Sequence, residues 1–346
     1  MQKVVVNTET PYEVLIGAGL LARSGEIIAD AISSEKIALF GDDTVYGLYG
    51  ERVAASLRGA GKKVYPFVFP HGESSKRAEY YLKGLDFLAE RGFDRTDAVA
   101  ALGGGVTGDL AGFVASTYLR GIAYAQIPTT LLAQVDSSVG GKTGIDLGAG
   151  KNLAGTFWQP RVVIADTDTL ATLPENELFN GIGELIKYAV LDGGEMYSLM
   201  SEGFTGREER VVTLAVDSKR RIVEADEKEG GVRRLLNLGH TVAHAIEKLS
   251  DYTVGHGAAV ATGIAYIARA SRKHFGLSSR DYEAVAALLK KYSVEEYSAY
   301  GIKELCAAAA VDKKTAGGYI NLVVIGKIGG CRTEKIPMTE LEEYLS

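Results

Sequence analysis

Three of the five histidines lie close together in the second half of the chain. His240-Thr241-Val242-Ala243-His244 sets two imidazoles four residues apart, on one face of a helix, and His256 follows in Val254-Gly255-His256-Gly257. Imidazole is the commonest metal ligand. Spacing alone proposes both His240 and His244, as in H-E-x-x-H sites, but Thr241 stands where that motif carries its Glu base, which argues against a zinc protease. A carboxylate ligand is offered by Gly183-Glu184-Leu185-Ile186-Lys187-Tyr188, where Glu184 and Lys187 share a helical face. A surface ion pair is the plain alternative for these two. Three protein ligands with one open position suit a catalytic Zn²⁺, and a His and carboxylate set also admits Co²⁺ or Mn²⁺.

Two further segments carry anion chemistry. Gly103-Gly104-Gly105-Val106-Thr107-Gly108-Asp109 follows a strand pattern and opens a helix expected to run to Leu119. Glycines there let backbone approach a pyrophosphate, and the helix N-terminus offers free N–H groups. No acidic residue follows about 20 positions on, which departs from the dinucleotide fingerprint, and a tight strand-to-helix turn explains the same glycines. The run from Gln126 to Gly144 combines hydroxyls, Asp136, a glycine pair and Lys142, and Lys151-Asn152 follows another Gly. It has too many polar groups for a buried strand; a surface loop competes with a backbone that presents cations to an anion. Near the histidines, Lys219, Arg233 and Arg234 flank Asp226-Glu227-Lys228-Glu229-Gly230-Gly231, Asn237 precedes His240 by three, and Asp312-Lys313-Lys314 lies near the end; each taken singly reads as a solvated charge.

These residues need elements to hold them. Up to about Leu170, short β-branched runs (36–40, 64–69, 98–102, 122–127 and 161–165) alternate with helical patterns such as 46–59 and 78–91. This is the signature of a mostly parallel sheet covered on both faces, with ligands at the strands' C-terminal ends. After Pro174 helical periodicity dominates (175–191, 208–227, 241–249, 258–275 and 281–291), and only 319–325 reads as a strand. The expected organisation is an α/β domain over 1–172 and a mainly helical domain over 173–346. The 346 residues, 46% hydrophobic and 24% charged, suit two domains with real cores. A net charge of −6 argues against nucleic acid. Two cysteines give no disulfide framework. No apolar run spans a membrane, so the expected location is the cytoplasm.

Read jointly, Gly103 to Phe113, Tyr118-Leu119-Arg120-Gly121, Gln126 to Gly144 and Leu235-Leu236-Asn237-Leu238-Gly239-His240-Thr241 resemble the 3-dehydroquinate synthases, over about 70–329. The resemblance implies a Rossmann-like NAD-binding domain, a helical metal-binding domain and a homodimer. It implies conversion of 3-deoxy-D-arabino-heptulosonate 7-phosphate to 3-dehydroquinate and phosphate in the shikimate pathway. There NAD oxidises a hydroxyl transiently, phosphate leaves by β-elimination, the hydride returns, the ring opens and an aldol closure follows. By position, Glu184, His240 and His256 become the ligands of one divalent ion (Zn or Co), and His244 a substrate contact. NAD contacts fall on Asp42, Thr44, Glu73, Lys76, Gly104, Gly105, Val106, Asp109, Thr129, Thr130, Asp136, Lys142, Lys151, Thr169, Thr172, Leu173 and Glu177. Substrate phosphate and hydroxyls fall to Lys142, Asn152, Lys187 and Lys219, with Arg120 reaching from a partner subunit. The substrate carboxylate falls to Arg233, Asn237 and one of Lys313 or Lys314.

One departure is Ala258, where many relatives have Glu two residues after the third ligand; it bears on what orients His256 and so on metal affinity. Other sugar phosphate cyclases are the nearest rivals, but their substrates lack a carboxylate, so Arg233 and Asn237 speak for the dehydroquinate reaction. A metal-dependent polyol dehydrogenase of the glycerol dehydrogenase type would not need Lys142, Asn152 and Lys187. A non-catalytic NAD-binding protein would be free to lose site residues, and none of the expected ones is missing.

Overall fold

A computed structural model describes residues 1–312 and 318–346; Lys313 and Lys314 lie outside the described residues. The chain forms two compact units, Met1–Leu173 with Lys219–Lys228, and Pro174–Ser218 with Glu229–Ser346. The interruption at 219–228 is a feature that a single boundary near 172 does not include.

The first unit is built on seven strands: β1 Gln2–Val6, β2 Tyr12–Gly17, β3 Lys36–Asp42, β4 Lys63–Phe69, β5 Ala98–Gly103, β6 Ala123–Pro128 and, after a hairpin of β7 Lys142–Leu147 and β8 Gly150–Phe157, β9 Val162–Asp166. The sheet order is β1-β2-β9-β6-β5-β3-β4, parallel except for the β1–β2 pair. Alternation along each strand feeds two cores. Ile37, Leu39, Ala100 and Leu102 face the helices Ser24–Ala31 and Glu51–Gly59, whereas Ala38, Phe40, Val99 and Ala101 face Ala78–Glu90 and Gly105–Thr117. The chain leaves β3 toward β4 and then crosses to β5 on the other side of β3. The switch point therefore lies between β3 and β5, whose C-terminal ends carry Asp42 and Gly103.

Three expectations are corrected here. The glycine-opened helix stops at Thr117 and not at Leu119; Leu119 and Arg120 then take φ of 50° and 69°. The Gln126–Gly144 stretch is largely buried and contains a π-helical turn, Ala133–Ser137, and its last residues from Lys142 begin β7. One of its buried amides is met from within: Gln134 Nε2 donates to the Pro128 and Asp166 carbonyls at 3.2 and 2.9 Å. The strand near 319 also has a partner, since β10 Tyr319–Lys327 pairs antiparallel with β11 Gly330–Pro337.

The second unit packs helices around His256–His274, which is buried over most of its length. Helix Glu175–Asp192 lies against its N-terminal end. A Cβ on Gly183 would sit 1.9 Å from the Gly257 carbonyl oxygen, and one on Gly257 would sit 1.7 Å from that of Asn180. Helix His240–Leu249 enters through Gly239, whose φ of +81° suits glycine, and a Cβ on Gly263 would sit 2.2 Å from the Gly239 carbonyl oxygen. Each pair of glycines brings two backbones into contact beside a candidate ligand. Gly257→Ala is therefore expected to destabilise the chain by about 1–3 kcal/mol through overpacking, and to lower metal affinity. Thermal unfolding and Zn²⁺ competition titration check this; unchanged values would dismiss the close approach.

Candidate metal and nucleotide sites

In the second unit, Glu184, His240 and His256 each offer one ligand atom, and these atoms lie within 4.8 Å of one another. Glu184 Oε1 is 3.4 Å from His256 Nε2 and 3.7 Å from His240 Nε2. Glu184 Oε2 pairs closely with Lys187 Nζ, and both side chains are buried. That answers the surface-pair alternative: this ion pair belongs to the core. His244 sits one turn beyond His240, exposed, with ring centroids 5.6 Å from His240 and 6.3 Å from His256. The i,i+4 spacing thus places His244 beside the cluster, while the third ligand atom comes from another helix.

Protons distribute unevenly over the trio. Burial pushes His240 down to about 3 against the pull of Glu184, so it is neutral and ready to donate a lone pair. Burial opposes charge on His256 too, but hydrogen bonds to Glu184 and Glu247 outweigh it and hold that pKa at about 10. In the metal-free protein a proton on His256 thus sits between two carboxylates. A buried carboxylate, a neutral imidazole and a second imidazole whose proton a cation would displace fit a divalent ion. Glu247, absent from the sequence-based set, hydrogen-bonds to His256 Nδ1 at 3.2 Å. Arg233 is fully buried, and Asn237 Nδ2 donates to Glu229 Oε1 at 3.1 Å. Glu229, with φ of 61°, is a second residue the sequence reading passed over. Glu177 lies on the first turn of helix Glu175–Asp192, in this unit, and accepts from Asn180 Nδ2 at 3.4 Å.

The first unit gathers the other predicted residues on the C-terminal edge of its sheet. Asp42 caps the helical turn after β3 by accepting from Val45 N at 2.8 Å, and Thr44 is exposed beside it. Gly104 precedes helix Gly105–Thr117; a Cβ there would press on Thr130 at 3.0 Å, and one on Gly105 on Ser137 at 3.2 Å. Val106 lies partly open in that first turn, and Thr129 N donates to Gly103 O at 3.0 Å. Such a glycine cradle at a helix N-terminus fits a pyrophosphate. Thr169 is buried, donating to the Thr129 and Asp166 carbonyls, and Thr172 bonds with Tyr49; Leu173 is half-buried.

Lys76 links this cradle to the β7–β8 hairpin. Its Nζ reaches Asp109 Oδ2 and Asn152 Oδ1, each at 2.5 Å. Burial works against its charge, but Asp109, Glu73 and Asp146 outweigh that and hold its pKa above the ordinary value. Lys151 pairs with Glu73 at 3.3 Å. Asn152 is exposed in the left-handed region, φ 55°, and its N–H donates to Asp146 at 2.8 Å. Lys219 donates to the Asp136 carbonyl at 2.7 Å and meets its carboxylate at 3.1 Å. Lys142 and Arg120 are exposed.

The first unit thus carries a seven-stranded, mostly parallel sheet, and the second a carboxylate and histidine cluster among helices. Solved structures share the fold. A 2-deoxy-scyllo-inosose synthase complexed with carbaglucose-6-phosphate, NAD⁺ and Co²⁺ matches with TM-score 0.89 at 22% identity, over 99% of each chain. The 2-epi-5-epi-valiolone synthase of Streptomyces hygroscopicus, with NAD⁺ and Zn²⁺ bound, matches with TM-score 0.88 at 28% identity, over 99% of this chain and 98% of that one. A glycerol dehydrogenase from Schizosaccharomyces pombe is more distant, with TM-score 0.67 at 16% identity, covering 96% of this chain and 87% of that one. Residues 66–180 match the 3-dehydroquinate synthase N-terminal family and residues 181–315 the 3-dehydroquinate synthase C-terminal family. The 3-dehydroquinate synthases of Streptococcus suis and Streptococcus thermophilus are 42% and 41% identical, each over 99% of both chains. The chain belongs to the 3-dehydroquinate synthase family.

Proposed function

We propose that this chain catalyses formation of 3-dehydroquinate and phosphate from 3-deoxy-D-arabino-heptulosonate 7-phosphate, using NAD and one Zn²⁺ or Co²⁺. The observation that carries the reading is the buried Glu184, His240 and His256 cluster with Lys187 against it, in a chain at 42% identity to a 3-dehydroquinate synthase over its whole length. When bound, NAD accepts and returns a hydride, and the divalent ion polarises the hydroxyl being oxidised.

The chain's own residues do the rest. Glu184, His240 and His256 hold the ion, and Lys187 balances the buried Glu184 charge. Asp42, Thr44, Glu73, Lys76, Gly104, Gly105, Val106, Asp109, Thr129, Thr130, Asp136, Lys151, Thr169, Thr172, Leu173 and Glu177 make the NAD site. Lys142, Asn152 and Lys219 bind the phosphate and hydroxyls of the substrate, and His244 is a further substrate contact. Arg233 holds the carboxylate through its planar fork, and Asn237 adds a donor. The exposed, left-handed Leu119-Arg120 pair is the kind of strained turn kept for a function; as a homodimer contact, Arg120 would complete a partner's site, and a monomer by light scattering would remove that role. The expected location is the cytoplasm, consistent with the finding that no helix among the described residues is long and apolar enough to cross a membrane.

The deciding assay supplies the heptulosonate phosphate, catalytic NAD and Zn²⁺. Inorganic phosphate is expected to appear over many turnovers with no accumulation of NADH. Stoichiometric NADH without phosphate release would favour a polyol dehydrogenase. Equal turnover of a phosphorylated sugar lacking a carboxylate would favour another cyclase.

A further inference from the structure

The two imidazoles of the trio are held from behind in different ways. His240 Nδ1 lies 3.1 Å from the Leu238 carbonyl oxygen, a neutral acceptor. His256 Nδ1 lies 3.2 Å from Glu247 Oε2, a carboxylate. The Glu247 side chain is only 5% exposed, on a helix whose Val242, Ala243, Ala245 and Ile246 are buried apolar residues. A carboxylate in such surroundings is costly unless N–H donors or cations meet it. The positions that follow His256 on its own helix, Gly257 and Ala258, carry no polar side chain. Glu247 comes instead from helix His240–Leu249, one turn beyond His244 and two beyond His240.

We propose that Glu247 is a positioning residue of the metal centre, accepting the Nδ1–H of His256 so that the Nε2 lone pair is fixed on the Glu184 side. The inference rests on the metal reading above and extends it. With Nδ1 protonated and held, the ring has one tautomer and one orientation, and His256 Nε2 stays 3.4 Å from Glu184 Oε1. A carboxylate also makes the ring a stronger donor than a carbonyl does, so His256 and His240 are unequal ligands. Glu247 meets the Nδ1 edge of the ring and acts on the ion through it.

The test is Zn²⁺ affinity of the metal-stripped full-length chain, by competition with a chromophoric chelator, together with the visible absorption of the Co²⁺ form. Glu247→Ala is expected to weaken Zn²⁺ binding about 10- to 100-fold and to alter the Co²⁺ bands. Glu247→Gln keeps an acceptor oxygen without the charge, and is expected to fall between wild type and Glu247→Ala. Circular dichroism establishes that each variant is folded. Unchanged affinity and an unchanged Co²⁺ spectrum in Glu247→Gln overturn the proposal, and that variant decides alone if Glu247→Ala does not fold. A wild-type chain that takes up neither ion overturns the metal reading itself, so the two failures are told apart by the wild type.

Discussion

Stripping the metal with a chelator is expected to lower phosphate release by about a thousandfold, in keeping with the several kcal/mol that a Lewis acid supplies. Zn²⁺ or Co²⁺ should restore it. The pH dependence of that restoration follows from His256. Its pKa of about 10 in the metal-free protein means that it carries a proton at neutral pH. Binding through Nε2 must displace that proton, so apparent affinity should rise with pH by about tenfold per unit between neutrality and pH 9. His240, down at about 3, adds no such competition over this range. The sign for stability is the reverse. A histidine whose folded pKa is raised stabilises the metal-free fold fully below its unfolded value, and loses that contribution as pH rises through about 10. Isothermal titration at three pH values with metal-stripped protein checks the affinity, and thermal unfolding of that protein over the same range checks the stability. Full activity in excess chelator, or an affinity independent of pH, would sink the assignment.

Much of this was legible in the residues, and the exceptions have physical reasons. The buried strands β3, β5, β6 and β9 are runs of small and β-branched residues ended by Gly, Pro or Asp, and a strand buried on both faces shows itself as such a run. The β7–β8 hairpin did not show itself. Strand β8 exposes Asn152, Leu153, Gly155 and Phe157, so it has no alternation that a buried face would impose. Strand β11 is hidden for the same cause, with Ile336 its one fully buried side chain. Hydroxyls and amides in Gln126–Gly144 argued for a loop, but the stretch is largely buried, and carbonyls of β6 and β9 meet the Gln134 amide inside.

The metal cluster divides in the same way. Spacing within one helix links His240 to His244 but cannot bring in His256. The His256 contribution depends on Gly183 and Gly257 letting two helices touch, a tertiary fact with only a faint trace in sequence. Glu247 left a clearer trace: His240, His244 and Glu247 stand at i, i+4 and i+7, which puts an acid on the imidazole face of that helix. A sequence reading that followed the face past its second histidine would have met it. Lys76 was named through the resemblance alone; a lone Lys after Glu73-Ser74-Ser75 gives no sign that Asp109 and Asn152 will converge on it.

Convergence on Lys76 carries the second large effect. Lys76→Met should destabilise the first unit by about 3–5 kcal/mol, because it leaves Asp109 in a buried setting without its cation. For a unit of this size that is a fall in Tm of about 10 °C. It should also weaken NAD binding roughly 100-fold: Asp109, Glu73 and Asp146 would leave the glycine cradle with excess negative charge near a pyrophosphate. A double variant separates the two effects. Lys76→Met with Asp109→Asn removes both partners, so stability should return toward wild type, whereas NAD affinity should stay low because the cation is still missing. Calorimetric unfolding and NAD titration by tryptophan quenching, using Trp158 as the single reporter, read the two outcomes independently. If the single variant melted and bound NAD as wild type does, the Lys76 contacts would be incidental; if the double variant regained NAD binding, the charge of Asp109 and not the lysine itself would govern the nucleotide site.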